Sequence, residues 1–356
     1  MLLLAGAAIR SKWSSVWFRR VLSTTVALST FSAIPSAGAT EAANEAANEA
    51  AKIIYVRPVP QNDDAFLQQG SNGIKQAATM YKLQASTLES QPNRAGRQQQ
   101  LDSAVKQGAK IVVMMGYEFK ELLETTARAA PQVRFVILEQ CISNPPPNLT
   151  CITFRDTEVS YLAGMEAALM SANAKIGIIG AIKTPLKLRS SEAFIAGARA
   201  VNPAIAIHNT LWIEGSQPFN DPARAEGLAK SLLAEGVDVI YAAAAGSNSG
   251  VFKALATQLH ARAIGSDINQ CPQAPGRVLD NVQIHADAAI SLAVGAIMSG
   301  STATRFDFGL KEGALSLTGL GLDAAYSECE ILRKRPVILK LREASNAIIH
   351  GKLKVE

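Results

Sequence analysis

The sequence contains few of the groups from which catalytic and metal centres are built. Its 356 residues include only four histidines, four cysteines and 6% aromatic residues. The histidines are scattered along the chain, and no HExxH, GxSxG or CxxC motif occurs. Metal sites and activated nucleophiles need such ligands in an organised arrangement. We therefore expect a protein without a bound metal, without a cofactor and without enzymatic activity.

Acidic residues are absent from the first 39 positions, which carry Arg10, Lys12, Arg19 and Arg20. The formal net charge of +5 arises largely here, because 31 of the 35 Lys and Arg residues remain against 30 Asp and Glu in the rest of the chain. A nucleic-acid binder needs a basic patch on its folded part to neutralise phosphates. The near-neutral remainder therefore argues against nucleic acid as a partner.

Residues 1–39 have the pattern of an export signal peptide. A basic region ends at Arg20, an apolar stretch covers 21–33, and the small residues 37–39 are typical of a cleavage site. The stretch is interrupted by Ser and Thr and is shorter than the roughly 20 apolar residues of a spanning helix. No cysteine lies near the cleavage site, so we expect a periplasmic or secreted protein without a lipid anchor. The Glu-Ala-Ala-Asn repeats of residues 40–51 predict a spacer.

The four cysteines, Cys141, Cys151, Cys271 and Cys329, permit three disulfide pairings. Cys141 and Cys151 flank a proline-rich segment that cannot form regular structure, and a bridge between them would close a short loop. Cys271 would then pair with Cys329. A zinc site is the alternative, but the paired ligands at short spacing that such sites usually show are lacking.

From residue 51 onward, short runs rich in Ile and Val alternate with longer segments of helical period. This alternation is typical of parallel βαβ units. It predicts four strands at 53–56, 83–88, 111–115 and 135–138, and four more at 176–179, 205–212, 239–243 and 261–264. We expect two similar lobes, one over 52–154 and one over 155–284, with 285–356 returning to complete the first. That last segment is predicted to hold a strand pair over 306–317, a helix over 337–350 and a final short strand.

The loops that follow the predicted strands are where a ligand is expected. Open parallel sheets bind ligands beyond the carboxyl ends of their strands. Two such sheets facing each other form a cleft that receives loops from both sides.

At these loops the sequence resembles a known family. The segments Phe154-Arg-Asp-Thr-Glu158, Ile176-Gly-Ile-Ile-Gly180, Gly236-Val-Asp-Val-Ile240 and Ile264-Gly-Ser-Asp267 recur in this order and spacing in the basic membrane protein family. Its members are solute-binding proteins of ABC importers and include purine nucleoside receptors. The resemblance implies an α/β type I periplasmic-binding-protein fold, with two doubly wound parallel-sheet lobes joined by a hinge. It also implies a purine nucleoside between the lobes and the membrane subunits of an ABC importer as partners.

The resemblance further implies which residues contact the ligand. Phe66 would stack on the purine, Phe219 would be the opposing ring, and Asp267 would accept hydrogen bonds from ribose hydroxyls. Plain packing of the two rings and a turn at Asp267 are the alternatives. The remaining candidates are Asp63, Gly116, Tyr117, Asp156 and Gly246.

Two positions depart from the family pattern. Leu67 stands where an Asn usually follows the stacking Phe, and Ile284 stands where a Lys often occurs. Both changes remove a polar group from the expected site, and Gln283 and His285 are the candidate substitutes for the lysine. A ligand-sensing module for a membrane receptor and an exported nucleoside hydrolase are the alternative functions for the same cleft.

Overall fold

The computed structural model describes residues 50–60 and 65–355 of the chain. This part of the chain contains two sheets of mainly parallel strands. The first sheet contains β1 (Lys52–Arg57), β2 (Gln84–Glu89), β3 (Ala109–Met115), β4 (Arg134–Leu138), β5 (Leu149–Phe154) and β12 (Arg305–Phe308). Its strand order is β12-β5-β4-β3-β1-β2, and every pairing is parallel. The predicted signal peptide and Asp63 lie outside the described residues.

The second sheet is also parallel, except for one antiparallel edge strand. It contains β6 (Lys175–Gly180), β7 (Ala206–Ile207), β8 (Leu211–Trp212), β9 (Val239–Ala243), β10 (Arg262–Asp267), β11 (Val278–Ile284) and β13 (Leu315–Leu317). The order is β13-β11-β10-β9-β6, and both β7 and β8 pair with β6. The strand predicted over 205–212 is therefore divided into two short pieces.

Helices cover the faces of both sheets. They are α1 (Ala65–Tyr81), α2 (Arg94–Lys106), α3 (Leu123–Ala129), α4 (Asp156–Met170), α5 (Pro185–Val201), α6 (Pro222–Ala234), α7 (Asn248–Leu255), α8 (Ala286–Met298) and α9 (Arg335–Ile349). Lobe 1 is the first sheet with α1, α2, α3 and α8, and lobe 2 is the second sheet with α4 to α7 and α9. Central strands covered on both faces are nearly continuous in apolar residues. The prediction of two parallel-sheet α/β lobes is confirmed.

The segment after residue 285 divides between the lobes, so its assignment to lobe 1 alone was wrong. Helix α8 packs on α1 and β12 joins the first sheet, but β13 pairs antiparallel with β11 and α9 packs on α4. The strands of 306–317 therefore do not pair with each other. Two short strands with a glycine-containing turn between them favour a hairpin. Here the connecting segment instead runs from one lobe to the other. The described residues after α9 contain no strand.

Three crossing segments join the lobes: the β5–α4 junction, the β11–α8 junction and the segment between β12 and β13. Polar and charged side chains connect these segments. Arg155, at the β5–α4 crossing, contacts Glu158 and Glu312, each at 2.6 Å. A Cβ atom on Gly309 would meet the ends of the Arg155 and Glu158 side chains, so a larger residue there would require this ion-pair network to shift. At the β11–α8 crossing, Nε2 of His285 lies 2.8 Å from the hydroxyl of Ser316.

All four cysteines form disulfides within single lobes. Cys141 pairs with Cys151 in lobe 1, and Cys271 pairs with Cys329 in lobe 2. Of the three pairings that the sequence permits, this is the one in which each bridge stays within a lobe and leaves the crossing segments unconstrained. Among the described residues, no helix is both long and apolar enough to cross a membrane.

Candidate ligand-binding cleft

A cavity of about 380 Å³ lies between the lobes, beyond the carboxyl ends of the strands. We call it the outer cavity. Lobe 1 contributes Phe66, from the start of α1, and lobe 2 contributes Phe219, Gly246 and Asp267. The sheets position these residues because the carboxyl ends of parallel strands meet at one edge.

Each lobe contributes one aromatic ring to the lining of this cavity. Phe66 is half-buried, and it also packs against the edge of the hydrophobic core. Phe219 lies in the loop before α6, where Asp221 caps the helix by accepting a hydrogen bond from the backbone N–H of Arg224 at 3.1 Å. The ring of Tyr117, from lobe 1, lies with its centroid 6.4 Å from that of Phe219. The two lobes thus meet through an aromatic contact at the rim.

Two residues that line the outer cavity have left-handed backbone conformations. The φ angle is +51° at Ala245 and +68° at Asp267. Such conformations are uncommon for residues other than glycine and concentrate at functional sites. They are held by Gln270, whose side chain donates to the carbonyl of Ala245 at 3.2 Å and accepts from the N–H of Ser266 at 3.1 Å. The loops after β9 and β10 are therefore fixed to each other.

A smaller polar space of about 50 Å³ continues from the outer cavity into lobe 2. We call it the inner chamber. Phe219 and Asp267 line both spaces, and Asp156, Lys187 and Tyr241 line the inner chamber alone. Trp212 also lines it, and Gly180 on β6 leaves the space that its indole ring occupies. A ligand in the outer cavity would reach the chamber past Asp267.

Buried charges dominate the inner chamber. Asp156 is 7% exposed, and its Oδ1 atom has no hydrogen-bond partner among the described residues. The Lys187 ammonium lies 3.7 Å from Oδ2 of the same carboxyl. Burial raises the pKa of Asp156, and Lys187 opposes that rise. Burial lowers the pKa of Lys187, but Asp156, Glu139 and Asp267 together raise it above its ordinary value, so the ammonium stays charged.

Glu139 adds a third carboxyl to this cluster from the end of β4. Burial is the main cause that raises its pKa to about 7, and Lys187 lowers it in opposition. Its φ angle of +62° is also left-handed. At neutral pH the Glu139 carboxyl is therefore only partly ionised, beside the charged Lys187 ammonium.

The structure brings most of the predicted site residues to the cleft. Phe66, Phe219, Gly246 and Asp267 share the outer cavity, and Asp156 lines the inner chamber. The other two described candidates lie at the carboxyl end of β3: Gly116, with φ +108°, and Tyr117, which is 53% exposed. Neither lines the cavity, and only Tyr117 reaches the rim, through its contact with Phe219.

Lys187, Trp212 and Tyr241 were missed by the sequence reasoning. Helix α5 begins at Pro185 with Thr184 as its N-cap. The Thr-Pro pair is a recognisable helix start. It places Lys187 in the first turn, directly after the β6 loop. Trp212 ends the predicted strand over 205–212, so its place at a carboxyl end was a usable signal. Nothing in the local pattern of Tyr241, in the middle of a strand, indicates a cleft position.

The two departures from the family pattern have different surroundings. Leu67 is 6% exposed and belongs to the lobe 1 core, where the Tyr55 hydroxyl donates to its carbonyl oxygen at 3.1 Å. It does not line the cleft. Ile284, at the end of β11, lines the inner chamber together with Lys187, which supplies a positive charge from α5.

The cleft is suited to binding a ligand that has both a flat apolar part and hydroxyl groups. Aromatic rings offer stacking, and carboxylates accept hydrogen bonds from hydroxyls. The described residues contain no group of three or more His, Cys, Asp or Glu side chains that could hold a metal ion.

Comparisons with known proteins agree with this geometry. A family model described as "ABC transporter substrate-binding protein PnrA-like" matches residues 50–354. The chain is 28% identical over 311 residues to the CD4+ T-cell-stimulating antigen of Listeria innocua, and the alignment covers 83% of this chain and 84% of that protein. It is 31% identical over 169 residues to the ABC transporter nucleoside-binding protein BmpA of Lactococcus lactis subsp. cremoris, covering 48% and 45% respectively. A solute-binding protein of an ABC transporter from Aeropyrum pernix K1 has the same fold, with a TM-score of 0.68, 20% identity and coverage of 85% and 92%.

Proposed function

Because the chain belongs to the Bmp family of ABC transporter substrate-binding proteins, we propose that its ligand is a purine nucleoside, captured between the lobes and delivered to an ABC importer. Substrate-binding proteins of ABC transporters act outside the cytoplasmic membrane, which agrees with an export role for residues 1–39. The name of the Lactococcus lactis relative supports a nucleoside as the ligand class.

The observation that carries the proposal is the meeting of Phe66 and Phe219 in one cavity with Asp267. The rings come from opposite lobes, so a purine between them would join the lobes. Base–aromatic stacking contributes about 1–3 kcal/mol per base and tolerates different purines. The Asp267 carboxylate has two oxygens, which suit the cis-diol of a ribose.

Calorimetry with adenosine, guanosine, inosine and their free bases tests this assignment. Asp267→Ala is expected to weaken nucleoside binding roughly ten- to a hundredfold and to affect the free bases much less, because only the ribose contact is lost. Phe66→Ala is expected to weaken nucleosides and bases alike. Asp102→Ala and Phe306→Ala are the matched controls, because neither residue lines the outer cavity or the inner chamber.

Unchanged nucleoside affinity in Asp267→Ala would show that the ribose contact is assigned wrongly. Absence of purine binding to the unmutated protein would overturn the ligand class. The bound nucleoside should be recovered intact, because release of the free base would instead identify a hydrolase.

A further inference from the structure

The inner chamber contains an acceptor and a donor that the protein itself does not satisfy. Asp156 is more than nine-tenths buried, yet its Oδ1 atom has no partner among the described residues. Buried carboxylate oxygens are almost always hydrogen-bonded in folded proteins, and an unpaired one calls for a ligand or an ordered water. Asp156 lines the chamber directly. The unpaired oxygen therefore marks a place where a hydrogen-bond donor is expected.

Lys187 supplies the complementary donor. Its Nζ atom lies 3.7 Å from Oδ2 of Asp156, which is too long for a good hydrogen bond. Among the described residues, no other ion-pair partner of Lys187 is found, and its side chain is 32% exposed and lines the chamber. A hydroxyl group both donates and accepts. One hydroxyl would thus satisfy the carboxylate and the ammonium together.

Asp267 links this pair to the proposed nucleoside site, because it lines both the outer cavity and the inner chamber. With the ribose diol on Asp267, the remaining sugar hydroxyl is the one on the 5′ carbon. We propose that Lys187 and Asp156 form a subsite for the 5′-hydroxymethyl group of the nucleoside. This inference rests on the proposed function and adds the two residues that bind the 5′ end of the ribose.

The charge and size of the chamber predict that it rejects a 5′-phosphate. Asp156 and Asp267 line the chamber, and Glu139 lies close enough to act on the same ammonium. The two acidic side chains that line the chamber outnumber its one lysine, which disfavours an anion there. The volume of about 50 Å³ admits only a few water-sized groups. The subsite therefore distinguishes nucleosides from nucleotides.

Calorimetry on the unmutated protein tests the subsite without any variant. Adenosine, 5′-deoxyadenosine and adenosine 5′-monophosphate are the three probes. Removal of the 5′-hydroxyl is expected to weaken binding about tenfold or more, because a hydrogen bond to charged groups is lost. The monophosphate is expected to bind still more weakly than 5′-deoxyadenosine.

A variant then assigns the effect to Lys187. Lys187→Met is expected to weaken the binding of adenosine about tenfold and to leave the binding of 5′-deoxyadenosine unchanged. The reason is that 5′-deoxyadenosine lacks the hydroxyl that the Lys187 ammonium would contact. Lys183→Met changes an exposed lysine in the loop before α5, and this variant should bind all three probes as the unmutated protein does. Circular dichroism and the fluorescence of Trp212, which lines the chamber, verify that the variant is folded.

Equal affinities of adenosine and 5′-deoxyadenosine for the unmutated protein would overturn the subsite while leaving the nucleoside proposal intact. Tight binding of the monophosphate would do the same. If neither nucleosides nor purine bases bind the unmutated protein, the proposed function and the subsite are both wrong.

Discussion

Glu166 and Asp280 form a buried carboxyl pair in lobe 2, away from the cleft. Both are 0% exposed, and three of their four oxygens have no donor among the described residues. The fourth, Oδ1 of Asp280, accepts from the N–H groups of Asn281 and Gly319, each at 2.8 Å. Two ionised carboxylates repel each other and have no proton for a hydrogen bond. A hydrogen bond between Glu166 and Asp280 therefore forms only when one of the two carboxyls is protonated. Burial raises the pKa of Glu166 well above its ordinary value and that of Asp280 to about 7.

This pair predicts that the free energy of unfolding decreases as the pH rises from about 4 to about 7. An acid whose folded-state pKa is raised stabilises the fold while it is protonated, and that contribution is lost as the pH rises through the folded pKa. Glu166→Gln replaces the shared proton by an amide N–H that does not titrate. We expect urea unfolding at pH 5 and pH 8 to show a smaller difference in the variant than in the unmutated protein.

Glu121→Gln is the control, because its side chain is 83% exposed and should leave the pH dependence unchanged. A variant at Glu166 with the same pH dependence as the unmutated protein would contradict the shared proton.

At the scale of secondary-structure elements, α4 and α5 pack through two glycines. A methyl group on Gly164 would collide with the carbonyl oxygen of Phe194, and one on Gly197 would collide with that of Tyr161. Each glycine thus allows the backbone of the other helix to approach closely. The contact matters for the cleft because α4 carries Asp156 and α5 carries Lys187.

Gly164→Ala is expected to destabilise the protein by about 1–3 kcal/mol, since the helices must separate to admit the methyl group. Gly227→Ala is the matched control. It lies within α6 with nothing within 4 Å of the added atom, so the better helix propensity of alanine should stabilise the protein by roughly 0.5–1 kcal/mol. Urea unfolding of both variants measures the difference. Equal effects with the same sign would contradict the close packing.

At the scale of the whole molecule, the two lobes are connected by three crossing segments and by no disulfide. Each bridge lies within one lobe, and the cleft receives Phe66 from one side and Phe219 from the other. Domains that are joined in this way close on a ligand by a hinge motion.

We therefore expect saturating adenosine to decrease the radius of gyration measured by small-angle X-ray scattering. The ligand contacts both lobes and stabilises the arrangement in which both contacts are made. Asp267→Ala at the same adenosine concentration should show a smaller decrease, because fewer molecules are occupied. Identical scattering of the unmutated protein with and without adenosine, at a concentration that calorimetry shows to be saturating, would contradict closure.

The sequence by itself determined the two-lobe α/β architecture, and its resemblance to the family implied the common location of Phe66, Phe219, Gly246 and Asp267. Strand and helix periods are local properties, and parallel strands bring their carboxyl ends to one edge. Only the tertiary structure decided that β13 joins lobe 2, that Lys187 meets Asp156, and that Glu166 meets Asp280. Each of these contacts joins residues from different elements. Periodicity within an element does not specify which partner it meets, because that choice depends on packing between elements distant in sequence.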